Sequence, residues 1–155
     1  MTIYTAPDVA PNPDVFLAGG ICGTDDWQAQ AAEALSAQGL EVANPRRPGG
    51  LTDASADPEQ IRWEHDHLSR AETVLFWFPG PGDHLFGMHQ LGYWLGQDKD
   101  LCIGCPQKHR NRAIIQTQVD LARPDFGEIN NLLKGIIEEV SEWALIKKAD
   151  EVEAG

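Results

Sequence analysis

Four short runs of apolar, β-branched and aromatic residues constrain the fold most: DVFLAGG at 14–20, LEVAN at 40–44, ETVLFWFPG at 72–80 and DLCIGC at 100–105. The gaps between them are too long for hairpin turns, and each holds a stretch with helical signals. Parallel strands need such a crossover, usually a helix, whereas antiparallel neighbours are joined by a few residues. Alternating β and α elements therefore predict an α/β fold, a doubly wound parallel sheet with helices on both faces.

The first run gives a strand over Val15–Ala18 that ends in Gly19 and Gly20. Asp25 is placed to cap a helix, with Gln28 three residues on and Gly39 as the stop after WQAQAAEALSAQG. LEVAN forms the second strand. Pro45–Pro58, rich in Pro, Gly, Asp and Ser, predicts a long surface loop. PEQIRWEHDHLSRA follows as a helix with Pro58 at its start and Ile61 and Leu68 facing inward. ETVLFWFPG has the composition of a central strand. Met88, Leu91 and Leu95 recur at helical spacing before the strand DLCIGC, and residues 111–121 and 126–147 read as further helices.

At 155 residues the chain suits a single domain, placed at 14–148. Residues 1–13, with Pro7, Pro11 and Pro13, read as a flexible N-terminal arm, and the acidic tail 149–155 as disordered. A composition of 42% hydrophobic and 23% charged residues is that of a globular protein. The formal charge of −12 sets up a field that repels a polyanion, so a nucleic-acid polymer is excluded as partner and a small molecule is expected. No run approaches a membrane span and the N-terminus lacks the pattern of a signal peptide, so a cytoplasmic protein is expected. Three cysteines fit a reducing compartment. Cys102 and Cys105 form a CxxC pair on a strand rather than at a helix start, which favours packing over redox or metal chemistry.

In doubly wound sheets ligands bind beyond the carboxyl ends of the strands. Three segments meet there: Gly19 and Gly20, the NPRR stretch at 44–47, and the loop from Pro79 to Gly87, with Gln90 opening the helix that leaves it. The glycines are spaced GGxxG rather than GxGxxG, which argues against a dinucleotide cofactor. They either admit a ligand close to the backbone or simply make a tight turn. Arg46 and Arg47 suit recognition of a carboxylate or phosphate, or equally the pinning of the long loop. In the helix at 58–70, His65 and His67 do not project together, so no zinc pair forms, and His65 and Asp66 read as a solvated face. Glu64 lies on the inward side beside Trp63, which supplies an apolar wall; Phe76, Trp77 and Phe78 offer further aromatic walls. Asp83, His84 and His89 sit on the third loop, within reach of a ligand or merely exposed. Paired carboxylates beside an aromatic pocket would serve cleavage of a glycosidic bond, and an ionised carboxylate at position 90 would complete the pair. Gln90 supplies an amide instead.

The blocks VFLAGGICGTDDWQ, NPRR, QIRWEHDHLSRAETVLFWFP, GMHQLGYWLG and RNRAIIQTQ, in this order and spacing, resemble the nucleoside 2-deoxyribosyltransferase-like proteins over about residues 14–122. The resemblance implies a flavodoxin-like fold and transfer of 2-deoxyribose between nucleobases, or hydrolysis of the N-glycosidic bond of nucleosides or nucleotides. It implies no cofactor and no metal, a nucleoside or nucleotide substrate, and a homo-oligomer with a neighbouring subunit closing each pocket. The family's ELG, whose glutamate is the nucleophile, falls on Gln90-Leu91-Gly92. A family acid falls on Glu64, with Glu72 where an aspartate usually stands. Asp83 lies near a family aspartate, one residue further from the nucleophile position. Gly19 and Gly20 would border the sugar; Asn44, Arg46 and Arg47 would face the base or a 5′-phosphate; Trp63, Phe78 and His84 complete the expected contacts.

The implied mechanism is a double displacement through a glycosyl-enzyme ester. Gln90 is nearly isosteric with the expected glutamate and lacks its charge, so the chain as written is expected to be inactive or weakened. Either an introduced substitution that holds substrate uncleaved or a natural loss in a nucleoside-binding protein gives this pattern; the intact surroundings favour the first. Transferase and hydrolase share the nucleophile and stay open, as do the base and the need for a phosphate.

Overall fold

A computed structural model describes residues 2–21, 23–48 and 57–155. Its strands are β1 (Ile3–Thr5), β2 (Val15–Gly19), β3 (Val42–Asn44), β4 (Thr73–Trp77) and β5 (Asp100–Gly104). All pair in parallel in the order β1-β3-β2-β4-β5. The helices are α1 (Trp27–Ala37), α2 (Pro58–Arg70), α3 (Leu85–Leu95), α4 (Arg112–Ala122) and α5 (Leu133–Ala154).

The chain steps from β2 to its neighbour β3, then crosses back over β2 to β4, so the order reverses between β2 and β4. That reversal opens a crevice at their carboxyl ends. Gly19 and Trp77, the last residues of the two strands, are register partners at its floor. Side chains alternate between two cores. Phe16, Ala18, Val74, Phe76 and Ile103 face one with Trp63, Leu91, Trp94, Ile115 and Val119, from α2, α3 and α4. Val15, Leu17, Leu75, Trp77 and Cys102 face the other with Trp27, Leu35, Ile136 and Val140, from α1 and α5. Burial on both faces is why the β4 run is almost continuously apolar.

Several boundaries differ from expectation. The N-terminal segment is not an arm without regular structure: Ile3–Thr5 pairs with Val42–Asn44 at the sheet edge. Its prolines fall outside those three residues, leaving the strand's N–H groups free to bond. The cap of α1 is Asp26, whose side chain accepts from Ala29 N, one residue later than Asp25. The helix expected from 126 starts at 133, because Asn130 is drawn into a bridge with Gly104. Cys105 N donates to Asn130 O at 2.8 Å and Asn130 N to Ile103 O at 3.0 Å, which caps the open edge of β5. Helix α5 then runs through the expected tail to Ala154. Residues 49–56, the middle of the expected long loop, lie outside the described residues. Among the described residues no helix is long and apolar enough to cross a membrane.

Candidate functional site

The crevice is closed at its base by backbone contact. Gly19 adopts φ +123°, and a Cβ there would lie 1.9 Å from the Trp77 carbonyl oxygen. Gly87, in the first turn of α3, sits so close to β2 that a Cβ would lie 2.7 Å from Gly19 O. These two glycines bring the start of α3 against the end of β2, and that approach carries Gln90 into the interior.

Gln90 retains 8% exposure, and its Nε2 donates to Glu64 Oε1 at 3.3 Å. Glu64 is 2% exposed, and its other oxygen, Oε2, accepts from Gln60 Nε2 at 3.2 Å. Gln60, with no exposed surface, also donates to Pro45 O at 3.0 Å and accepts from Arg47 Nε at 2.6 Å. A continuous chain of polar contacts thus runs Arg47–Gln60–Glu64–Gln90, from the end of β3 across α2 to α3. Burial raises the Glu64 pKa to about 7, against the opposing pull of the Gln90 and Gln60 hydrogen bonds and the Arg47 charge. The carboxyl is therefore poised to exchange a proton near neutral pH.

A second network frames Gly20. Trp27 Nε1 donates to Gly20 O at 2.7 Å and Gln28 Nε2 donates to the same oxygen at 3.2 Å. Gln28 Oε1 accepts from Arg46 Nε at 2.9 Å. Arg46 also bonds Thr24 Oγ1 and Asp25 O, and pairs with Asp26 at 3.2 Å. Arg47 pairs with Glu59 at 4.0 Å in addition to Gln60. Arg46 is fully engaged by groups of the α1 end, whereas Arg47 uses Nε on Gln60 and keeps Nη2 buried without a hydrogen-bond partner among the described residues. Asn44 is buried and its Oδ1 accepts from Arg46 N at 3.0 Å, fixing the turn that directs both guanidinium groups.

The other expected site residues do not join the Arg47–Gln60–Glu64–Gln90 chain. Phe78, expected as a pocket wall, has no exposed surface; it stacks on Phe76 with ring centroids 6.0 Å apart and lies 6.3 Å from the His84 ring. Phe76 and Trp77 are core residues as well, on opposite faces of the sheet. Trp63 is committed to packing, stacked on His67 at 3.8 Å with Nε1 donating to Asp8 O. The reason is common to all four: a central strand and its covering helix are sealed on both sides, so their rings fill the core before they can line a mouth. Asp83 is exposed and pairs with Arg110 at 3.3 Å, with no bond to Gln90 or Glu64. His84 takes φ 51° at the start of α3 and bonds the Pro79 carbonyl; its ring fits against Gly20, where a Cβ would fall 2.6 Å away. Burial lowers its pKa, and neighbouring His109 acts in the same direction. Cys102 and Cys105 are free, buried thiols; burial pushes both pKa values up, that of Cys105 to about 11, which suits packing rather than redox chemistry.

Gln60, Gln28 and Trp27 were not anticipated. The signal was present: Gln60 stands four residues before Glu64 on one helix face, and Gln28 is a polar residue on the buried side of α1.

A family model described as nucleoside 2-deoxyribosyltransferase like matches residues 12–109. The chain belongs to the nucleoside 2-deoxyribosyltransferase-like family. The match spans β2 through β5 and includes every residue of the Arg47–Gln60–Glu64–Gln90 chain. A comparison with curated proteins finds no match. In this nucleoside 2-deoxyribosyltransferase-like protein the buried amide–carboxylate pair joins α2 to α3 near the β2–β4 switch point.

Proposed function

We propose that this protein takes a nucleoside-type N-glycoside at the carboxyl ends of β2, β3 and β4, with side chain 90 toward the anomeric carbon. Gln90 then occupies the place of the glutamate that forms the glycosyl ester in this family. One observation carries the reading: the side chain at 90 is buried at the switch point and in contact with a carboxyl poised near neutrality.

With a carboxylate at 90 the chemistry is a double displacement. An oxygen attacks C1′, the C1′–N bond breaks with its electron pair on the departing base, and a proton reaches that base from a neighbouring acid. A second base, or water, then attacks the ester and regenerates the carboxylate. Glu64 is the neighbouring group able to handle the proton. An amide is a far poorer nucleophile, so the chain as written does not form the ester and transfers no deoxyribose by this route.

The decisive comparison is base exchange between a free nucleobase and 2′-deoxynucleosides, measured for the unaltered chain and for Gln90→Glu. Exchange that appears only in the variant supports the reading. Absence of both exchange and binding, across common nucleosides and their 5′-monophosphates, removes it. The amide itself favours a second reading, a nucleoside or nucleotide binding module. That reading predicts calorimetric affinity at least as tight with Gln90 as in Gln90→Glu, and no turnover in either.

A further inference from the structure

The orientation of Gln90 is set by chemistry. In its ionised form Glu64 can only accept, and the amide nitrogen faces it, donating at 3.3 Å. The planar amide then carries its carbonyl oxygen beside that nitrogen, and among the described residues the side chain's one hydrogen bond is the one its nitrogen makes to Glu64. Glu64 uses one acceptor position on each oxygen, for Gln90 and for Gln60, and a carboxylate offers about two per oxygen. The pair therefore presents two adjacent acceptors, one neutral and one able to take a proton. That is the complement of a water molecule with both of its hydrogens directed inward and a lone pair directed out.

We propose that Gln90 Oε1 and Glu64 seat a water against the anomeric carbon, making this site a direct, inverting N-glycoside hydrolase. The inference rests on the placement of the sugar proposed above and goes beyond it, because no ester forms. The water oxygen attacks C1′ from the face opposite the base, and the C1′–N bond breaks with its electron pair on the base nitrogen. Glu64 accepts one proton of the attacking water and returns it to solvent, while the departing base takes one up from solvent. Nucleoside and water become free sugar and free base. Burial near the midpoint of its titration keeps Glu64 a competent base at neutral pH. Gln60 and Arg47 act as positioning residues, since they hold the Glu64 carboxylate toward α3 without facing the water.

The test incubates the purified full chain with 2′-deoxynucleosides in water containing methanol and a free acceptor base, with calorimetry in parallel. Expected are base release without base exchange, and a methyl 2-deoxyriboside of inverted anomeric configuration. Glu64→Gln and Gln90→Ala each lower kcat by about 10²–10⁴-fold while nucleoside Kd changes little. A retained methyl glycoside, binding without base release, or base release untouched by Gln90→Ala would overturn the inference and leave the proposed site standing. Loss of nucleoside binding by the unaltered chain would overturn both.

Discussion

Glu64 ties the site to stability through a single proton. Its folded pKa is raised from 4.5 to about 7, so between these values the folded chain binds more protons than the unfolded one. Stability linked to this group is therefore complete below pH about 4.5 and is lost as pH rises through about 7. Denaturant titrations of the parent and Glu64→Gln should coincide near pH 4, with the variant more stable on the order of 2 kcal/mol at pH 8. A constant difference across that range would show that Glu64 does not titrate as described. At Gly87 the constraint is steric: the Cβ of Gly87→Ala would meet the backbone of β2 at 2.7 Å, with no flexible side chain to yield. We expect Gly87→Ala to cost about 1–3 kcal/mol in a chemical melt and to weaken ligand binding, because α3 must shift to relieve the contact.

At the scale of elements, two side chains of α4 hold the segment beyond β5: Gln116 accepts from Ile129 N at 2.9 Å, and Arg112 reaches further. Arg112 donates to the carbonyls of Cys105 and Ile129 and pairs with Glu128 at 3.8 Å, linking the start of α4 to the segment that bridges Gly104. Arg112→Ala should destabilise the fold by about 2–4 kcal/mol, and hydrogen exchange should quicken first at Cys105 and Asn130. Faster exchange spread evenly over the sheet would contradict that local role. The strands and crossover helices were legible in the sequence because apolar runs and caps are local signals: Pro58 opens α2, and Gly39 follows α1 in a left-handed conformation. Non-local facts were not legible. Asn130 gives no sign in sequence that it will pair with Gly104, and Ile3–Thr5 becomes a strand only because β3 offers an open edge. The same distinction governs the site. The local pattern puts Gln90 in the first turns of α3 and Glu64 in α2, whereas their mutual contact, the burial of Phe78 and the bonds of both arginines depend on partners far away in sequence.

For the whole molecule, the switch between β2 and β4 decides where chemistry can occur. The acidic balance decides what can approach. A net charge of −12 repels a polyanion, while Arg47 Nη2 stays buried at the end of β3 without a hydrogen-bond partner among the described residues. The family match covers this part of the sheet, and side chain 90 is the residue on which the proposed chemistry turns. The most direct measurement is intact-protein mass spectrometry of acid-quenched Gln90→Glu after mixing with a 2′-deoxynucleoside. A deoxyribosyl adduct is predicted on the variant, discharged by added free base, with none on the unaltered chain. A folded, nucleoside-binding Gln90→Glu that never carries the adduct, or an adduct already present on the unaltered chain, would contradict the assignment of position 90 to the anomeric carbon.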